Sequence, residues 1–194
     1  LRSIQSAELL DVISVGPCEG LVDGAKSIYL DDVPIQNPDG SYNFDGVVWQ
    51  HREGYPSQTP VSGFPAVEDT QAVNIEITSA TSPIQSVTDI NADAVRVTLR
   101  VPRLTKQNLE NGDINAHAVT HAIDIRADGD IWREAHVDTI SGKCTVDYQR
   151  AYRVRLTGTG PWQIRVRRIT PDATGSNIVD RVWWDTITTI IDQR

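Results

Sequence analysis

The 194 residues carry a net charge of −8 with 39% hydrophobic and 23% charged side chains, and no apolar run approaches the roughly 18 residues of a membrane span. Residues 1–70 hold 11 acidic and 3 basic side chains against 15 of each in residues 71–194, so the excess charge lies wholly in the first third, which excludes a uniformly basic nucleic-acid grip. Two cysteines, Cys18 and Cys144, lie far apart in unlike settings, which fits a reduced compartment better than a disulfide framework.

No basic-then-apolar leader opens the chain. A chain that starts at Leu1 and contains no methionine reads as a piece excised from a longer protein.

From Ile13 the sequence ISVGPCEGLVDGAKSIYLDDVPI places Gly16, Gly20 and Gly24 four residues apart. That spacing suits packed helices, but Pro17 removes a backbone donor and each helix-interior glycine costs about 1 kcal/mol relative to alanine. Gly-Pro, Glu-Gly and Asp-Gly are turn dipeptides, so the glycines are expected as backbone hinges that take positive φ. Ser27–Ile35 and Val47–Arg52 have strand composition, Gln58–Asp69 reads as a loop, and Ala72–Thr78 as a further strand.

From residue 94 onward, period-two alternation dominates. Val95, Val97, Leu99 and Val101 share one face of a strand, with Arg96, Thr98 and Arg100 on the other. Val119, Ile123 and Ile125 continue the pattern, and Asp128-Gly129 predicts a turn into Ile131–Thr139 and hence a hairpin. Tyr152, Val154 and Leu156, then Trp162, Ile164 and Val166 after a Gly-rich turn, predict a second hairpin. Six or seven such strands make a β-sandwich over about residues 83–181, and Val182–Arg194 is expected to return as a strand to the first section.

Three fragments resemble the tail-tip attachment, or host-specificity, J proteins of lambda-like long-tailed phages. LLDVISVGPCEGLVDGAKSIYLDDVPI is similar to their N-terminal pattern, with Val15 and Cys18 where the family often has Glu and Ile. REGYPSQTPVSGF at 52–64 is similar to their R-x-G-x-x-x-Q-T-P-x-x-G-F, and IRVRRITPDATG at 164–175 with TTIID at 188–192 to their R-x-R-R-x-T-P-D and closing I-I-D. The resemblance implies a structural virion component, an N-terminal fragment of a trimeric hub that closes the tail tube, assembled in the bacterial host cytoplasm. Its partners would be further copies of itself and neighbouring tail proteins, with the host receptor bound by regions absent here and no nucleic acid bound by this fragment.

The expected fold is therefore all-β: an immunoglobulin/fibronectin-like sandwich at 83–194 after a smaller, irregular β-rich and acidic hub segment at 1–82, with 182–194 returning to that segment. A free-standing carbohydrate- or receptor-binding sandwich is the alternative reading, and a glycan hydrolase ranks behind it.

His117 and His121 share strand parity, but His136 falls with Trp132 and Glu134, so three metal ligands do not converge. Glu110, Asn111, Gly112 and Asp113 lack the twelve-residue calcium pattern and read as a loop tip. Arg153, Arg155, Arg165, Arg167 and Arg168 are expected on the outside of the second hairpin, paired with Asp124, Glu134 or Asp138 on nearby strands or with an acidic neighbour subunit, while Tyr152 and Trp162 point inward and leave no aromatic platform for nucleic acid. No Ser-His-Asp or Cys-His arrangement and no Gly-x-Ser-x-Gly elbow occurs. The chain is expected to have no catalytic, cofactor-binding or metal-binding residues and no enzymatic activity. Of adjacent Trp183 and Trp184, one can enter the sandwich and the other needs a second cover, from the N-terminal segment or another subunit.

Overall fold

The computed structural model describes residues 1–3 and 7–192, and no α-helix occurs among them. Two compact units are present, one of residues Ala7–Phe64 and one from Pro65 onward that also takes in the first residues of the chain.

In the smaller unit, a single 3₁₀ turn at Gly24–Ser27 precedes a two-residue hairpin of β1 (Tyr29–Leu30) and β2 (Val33–Pro34). Asp31 and Asp32 turn the hairpin at φ 47° and 62°, the left-handed pair that matches strand twist. The stretch Ser27–Ile35 is thus a hairpin and not one strand. Gly16, Gly20 and Gly24 take φ of 100°, 92° and 57°, the turn conformations their neighbours imply. Gly54 is needed for a different reason: a Cβ there would lie 2.7 Å from the Gly16 carbonyl oxygen. The strand expected at Val47–Arg52 does not form. Its polar side chains close a loop instead, Gln50 Nε2 donating to Ser62 and Arg52 donating to the carbonyls of Thr59 at 2.7 Å and Pro60 at 3.0 Å.

The larger unit holds the remaining strands: β3 (Val67–Ile77), β4 (Ile84–Val87), β5 (Ala94–Val101), β6 (Thr105–Gln107), β7 (Ile114–Asn115), β8 (His117–Ala127), β9 (Arg133–Gly142), β10 (Tyr148–Arg155), β11 (Trp162–Arg168), β12 (Ile178–Val179) and β13 (Val182–Ile191). Two antiparallel four-stranded sheets, ordered β10-β5-β13-β3 and β4-β11-β8-β9, contribute their apolar faces to one core, and a small sheet β12-β6-β7 accompanies them. Val95, Val97, Leu99, Val119, Ile123, Ile164, Val166 and Trp184 are fully buried, as their alternation with polar residues requires.

The sandwich begins at Pro65, not at residue 83, because β3 zips along the whole of β13 from Val67↔Ile191 to Ile77↔Val182. Strand β13 therefore does return to the chain's earlier section, but it does so inside the sandwich, in the centre of a sheet between β3 and β5. The hairpin β8–β9 forms as expected, with His121 opposite Asp138. The second expected hairpin does not: β10 pairs with β5 and β11 with β4 and β8, so the loop between them crosses from one sheet to the other. Both strands carry an apolar face, and in opposite sheets each turns that face into the shared core, which side-by-side pairing alone would not do.

Two bulges reset the alternation. Asp185 is the extra residue between the pairs Trp184↔Leu99 and Thr186↔Thr98, so Trp184 and Ile187 both face the core. Ala135 is the extra residue between Ile123↔His136 and Asp124↔Glu134, with consequences described below.

Replacing Trp184, which is fully buried and donates its indole N–H to the Thr186 carbonyl at 2.9 Å, with alanine is expected to cost about 3–5 kcal/mol in chemical denaturation. Trp183→Ala, on the half-buried outer face, is expected to cost less than about 1.5 kcal/mol.

Candidate functional site

The polar chemistry of the larger unit lies on the outer faces of its two sheets and along one seam between them. On the outer face of β4-β11-β8-β9, Arg165 and Arg167 flank Asp124, which is 1% exposed. Arg165 donates to Asp124 Oδ2 through Nε at 2.9 Å and Nη2 at 2.7 Å, and Arg167 donates to both carboxylate oxygens at 2.6 and 2.9 Å. Arg167 also reaches Glu134 at 3.0 Å. Trp132 lies against this cluster with the Arg165 and Arg126 guanidinium carbons 4.3 and 4.7 Å from its ring centre, a cation–π arrangement. Burial opposes the charge on Asp124, but the hydrogen bonds from Arg167 and Arg165 outweigh it and hold the carboxyl below its ordinary range.

The outer face of the other sheet is likewise paired. Arg96 forms a two-point contact with Glu68, Arg100 meets Asp185 at 3.0 Å, Arg153 meets Asp192 at 2.6 Å, and Arg181 meets Glu76 at 2.5 Å. Trp183 finds its second cover here: the guanidinium carbons of Arg100 and Arg181 lie 5.6 and 5.9 Å from its ring centre. Arginines of the same unit supply this cover.

The five arginines expected to cluster on one hairpin are therefore dispersed. Arg153 and Arg155 lie on β10 and Arg165 and Arg167 on β11 of the opposite sheet. Arg168, at the end of β11, is buried and binds Asp180 at 2.6 Å and Asp172 at 3.1 Å, with His117 3.5 Å from the same Asp180. Asp124 and Glu134 do take arginine partners, whereas Asp138 is held by Arg150 at 3.1 Å. The loop Glu110–Asp113 links β6 to β7, and its oxygens are engaged locally: Asn108 Oδ1 accepts from the Glu110 N–H at 2.9 Å and Asp113 Oδ2 accepts from Asn111 at 2.7 Å. Among the described residues no three His, Cys, Asp or Glu side chains are arranged to hold a metal ion. Cys18 and Cys144 are both free thiols.

The seam joins edge strand β9 of one sheet to edge strand β10 of the other. Because Ala135 bulges, His136, Asp138 and Ile140 pair with the inward residues Ile123, His121 and Val119, and His136 leaves the parity of Glu134 and Trp132. Tyr152 crosses from β10 between the two imidazoles, its ring centre 5.0 Å from His121 and 4.8 Å from His136, and donates its hydroxyl to Asp138 at 2.8 Å. Strict alternation misses this placement. The one signal in the sequence was Ile140, an apolar residue on what would have been the polar parity of Glu134, His136 and Asp138.

In the smaller unit, Leu9, Leu10, Val12, Ile13 and Val15 form an extended run that is 84, 52, 78, 69 and 105% exposed, between Glu8 and Glu19. No described helix is long and apolar enough to cross a membrane.

These features define a class: a fibronectin-type sandwich whose charged outer faces are internally paired, preceded by an acidic unit with exposed apolar side chains. Residues 67–193 match the family model of the FNIII-A domain of tip attachment protein J. The whole chain is 33% identical over 200 residues to the tip attachment protein J of Escherichia phage SECphi4 and 32% identical over 195 residues to that of Escherichia phage SECphi27. The chain belongs to the tip attachment protein J family. It spans only 17% and 16% of the length of those two relatives.

Asp124→Ala leaves two guanidiniums without their shared counter-charge and is expected to destabilise the chain by about 2–3 kcal/mol in urea denaturation. The native carboxyl is held below its unfolded value, so its stabilisation is complete above the ordinary carboxylate range and is lost as pH falls beneath it. The variant is accordingly expected to show a shallower loss of stability in acid than the parent.

Proposed function

We propose that this chain is a structural segment of a phage tail tip, part of the central hub that closes the tail tube and supports host attachment. The observation that carries the reading is similarity to tip attachment proteins along the entire chain, through the sandwich and the acidic unit alike. The physical features agree with a role in holding neighbours in place. Most of the sandwich's arginines meet its own carboxylates, whereas residues 9–15 expose five large apolar side chains, the kind of surface that marks a contact with another part of an assembly.

In the assembled particle the chain works as part of a trimer of the full-length protein, located at the tail tip and built in the host cytoplasm. Receptor recognition belongs to regions outside these residues, and the role assigned here is structural, without catalysis. The acidic residues of the smaller unit face the tube interior or a tail partner.

The experiment is complementation. Leu10→Asp with Ile13→Asp in the full-length protein is expected to lower the yield of infective particles by more than about tenfold while the sandwich stays folded. Normal tails from that double variant, imaged by electron microscopy, would refute the contact role of this run.

A further inference from the structure

The seam between β9 and β10 contains polar atoms that no hydrogen bond of the structure satisfies. His121 is 1% exposed, and neither Nδ1 nor Nε2 has a partner; His136 Nε2 is buried and unpartnered as well. Buried polar atoms of this kind are rare and costly to keep. Here they sit where the two sheets are joined at their edges, since β9 pairs only with β8 and β10 only with β5.

We propose that this seam is a proton-operated clasp, in which proton uptake at His121 parts β9 from β10 and loosens that side of the sandwich while β3, β13 and β5 stay paired.

The groups facing His121 explain why a charge is not accommodated in place. From β9 come His136 and Asp138, and from β10 come Arg150 and Tyr152. On β11 its register partner is Arg168, whose charge is taken up by Asp180 and Asp172, and His117 of β8 itself lies beside Asp180. Asp138 is the only carboxylate among the charged groups acting on His121, and it is already shared by Arg150 and the Tyr152 hydroxyl. An imidazolium at His121 would have to take Asp138 from Tyr152 or turn toward water, and either movement disturbs the Tyr152–Asp138 hydrogen bond, which together with the Arg150–Asp138 ion pair ties β10 to β9. Burial is the largest influence on His121, with His136 and Arg150 acting in the same direction against Asp138, and it lowers the imidazole from 6.5 to about 4. The closed form therefore binds fewer protons than the open one between those values. Its stability is whole above pH 6.5 and declines as pH falls toward 4.

Hydrogen exchange of the 194-residue chain, corrected for intrinsic rates, tests the clasp. Between pH 7 and pH 5, opening at β9 and β10 amides is expected to rise roughly tenfold or more, while β3, β13 and β5 amides keep their protection. His121→Phe, which retains a ring of suitable shape but takes no proton, is expected to abolish the rise. An equal rise in all strands, or an undiminished rise in His121→Phe, overturns the proposal. Should that variant not fold, a ring-resonance titration of the parent decides: His121 protonating near pH 6.5 with unchanged β9 and β10 exchange refutes the clasp, and protonation in step with their exposure supports it.

Discussion

Everything in the larger unit depends on β13 lying between β3 and β5. Strand β13 hydrogen-bonds to both neighbours along nearly its full length, so it joins residues 67–77 to residues 94–101 into one sheet and supplies Trp184 and Ile187 to the core. Without it, β3 would have no partner in that sheet and the core would be open beneath Leu99 and Val97. The constraint is non-local: segments more than a hundred residues apart must meet before either is stable. Such pairing repays its loop-closure cost only when the apolar faces are buried together.

A second consequence of the same arrangement is that both outer faces are charged. Each sheet presents arginines outward from strands whose other side is apolar, and many of them meet carboxylates of the same sheet, Arg165 and Arg167 on Asp124 of the adjacent strand and Arg96 of β5 on Glu68 of β3, across β13. Exposed pairs of this kind contribute little stability individually. Asp124 differs because it is buried beneath two arginines, and Trp132 and Trp183 differ because guanidiniums cover their rings. The two tryptophans thus occupy outward positions without forming an open aromatic patch.

Much of this was legible in the residues. The alternation at Val95–Val101, Val119–Ile125, Tyr152–Leu156 and Trp162–Val166 gave the all-β class and the inward faces, and the Asp128-Gly129 turn gave the β8–β9 hairpin. The fragments quoted above from 9–35, 52–64 and 164–192 gave the family. What alternation does not encode is the identity of a strand's partner, so it predicts Tyr152–Leu156 and Trp162–Val166 as neighbours although they belong to opposite sheets. Nor does it encode an inserted residue. Ala135 reverses the parity of everything after it in β9, which is why His136 joins His121 and why Asp138 meets Tyr152. The boundary at Pro65 was hidden for a related reason: β3 is exposed on most of its length, and its sequence shows little of the alternation that marked the later strands.

That exposure of β3 makes it a strand at which two copies of the chain could pair. An outermost strand with free main-chain donors and acceptors invites another copy to add to it and start a fibre. Along β3 a like strand from a second molecule would lose its ladder at Asn74, whose φ of 52° breaks the extended backbone. The strand that could invite lateral addition thus carries its own interruption.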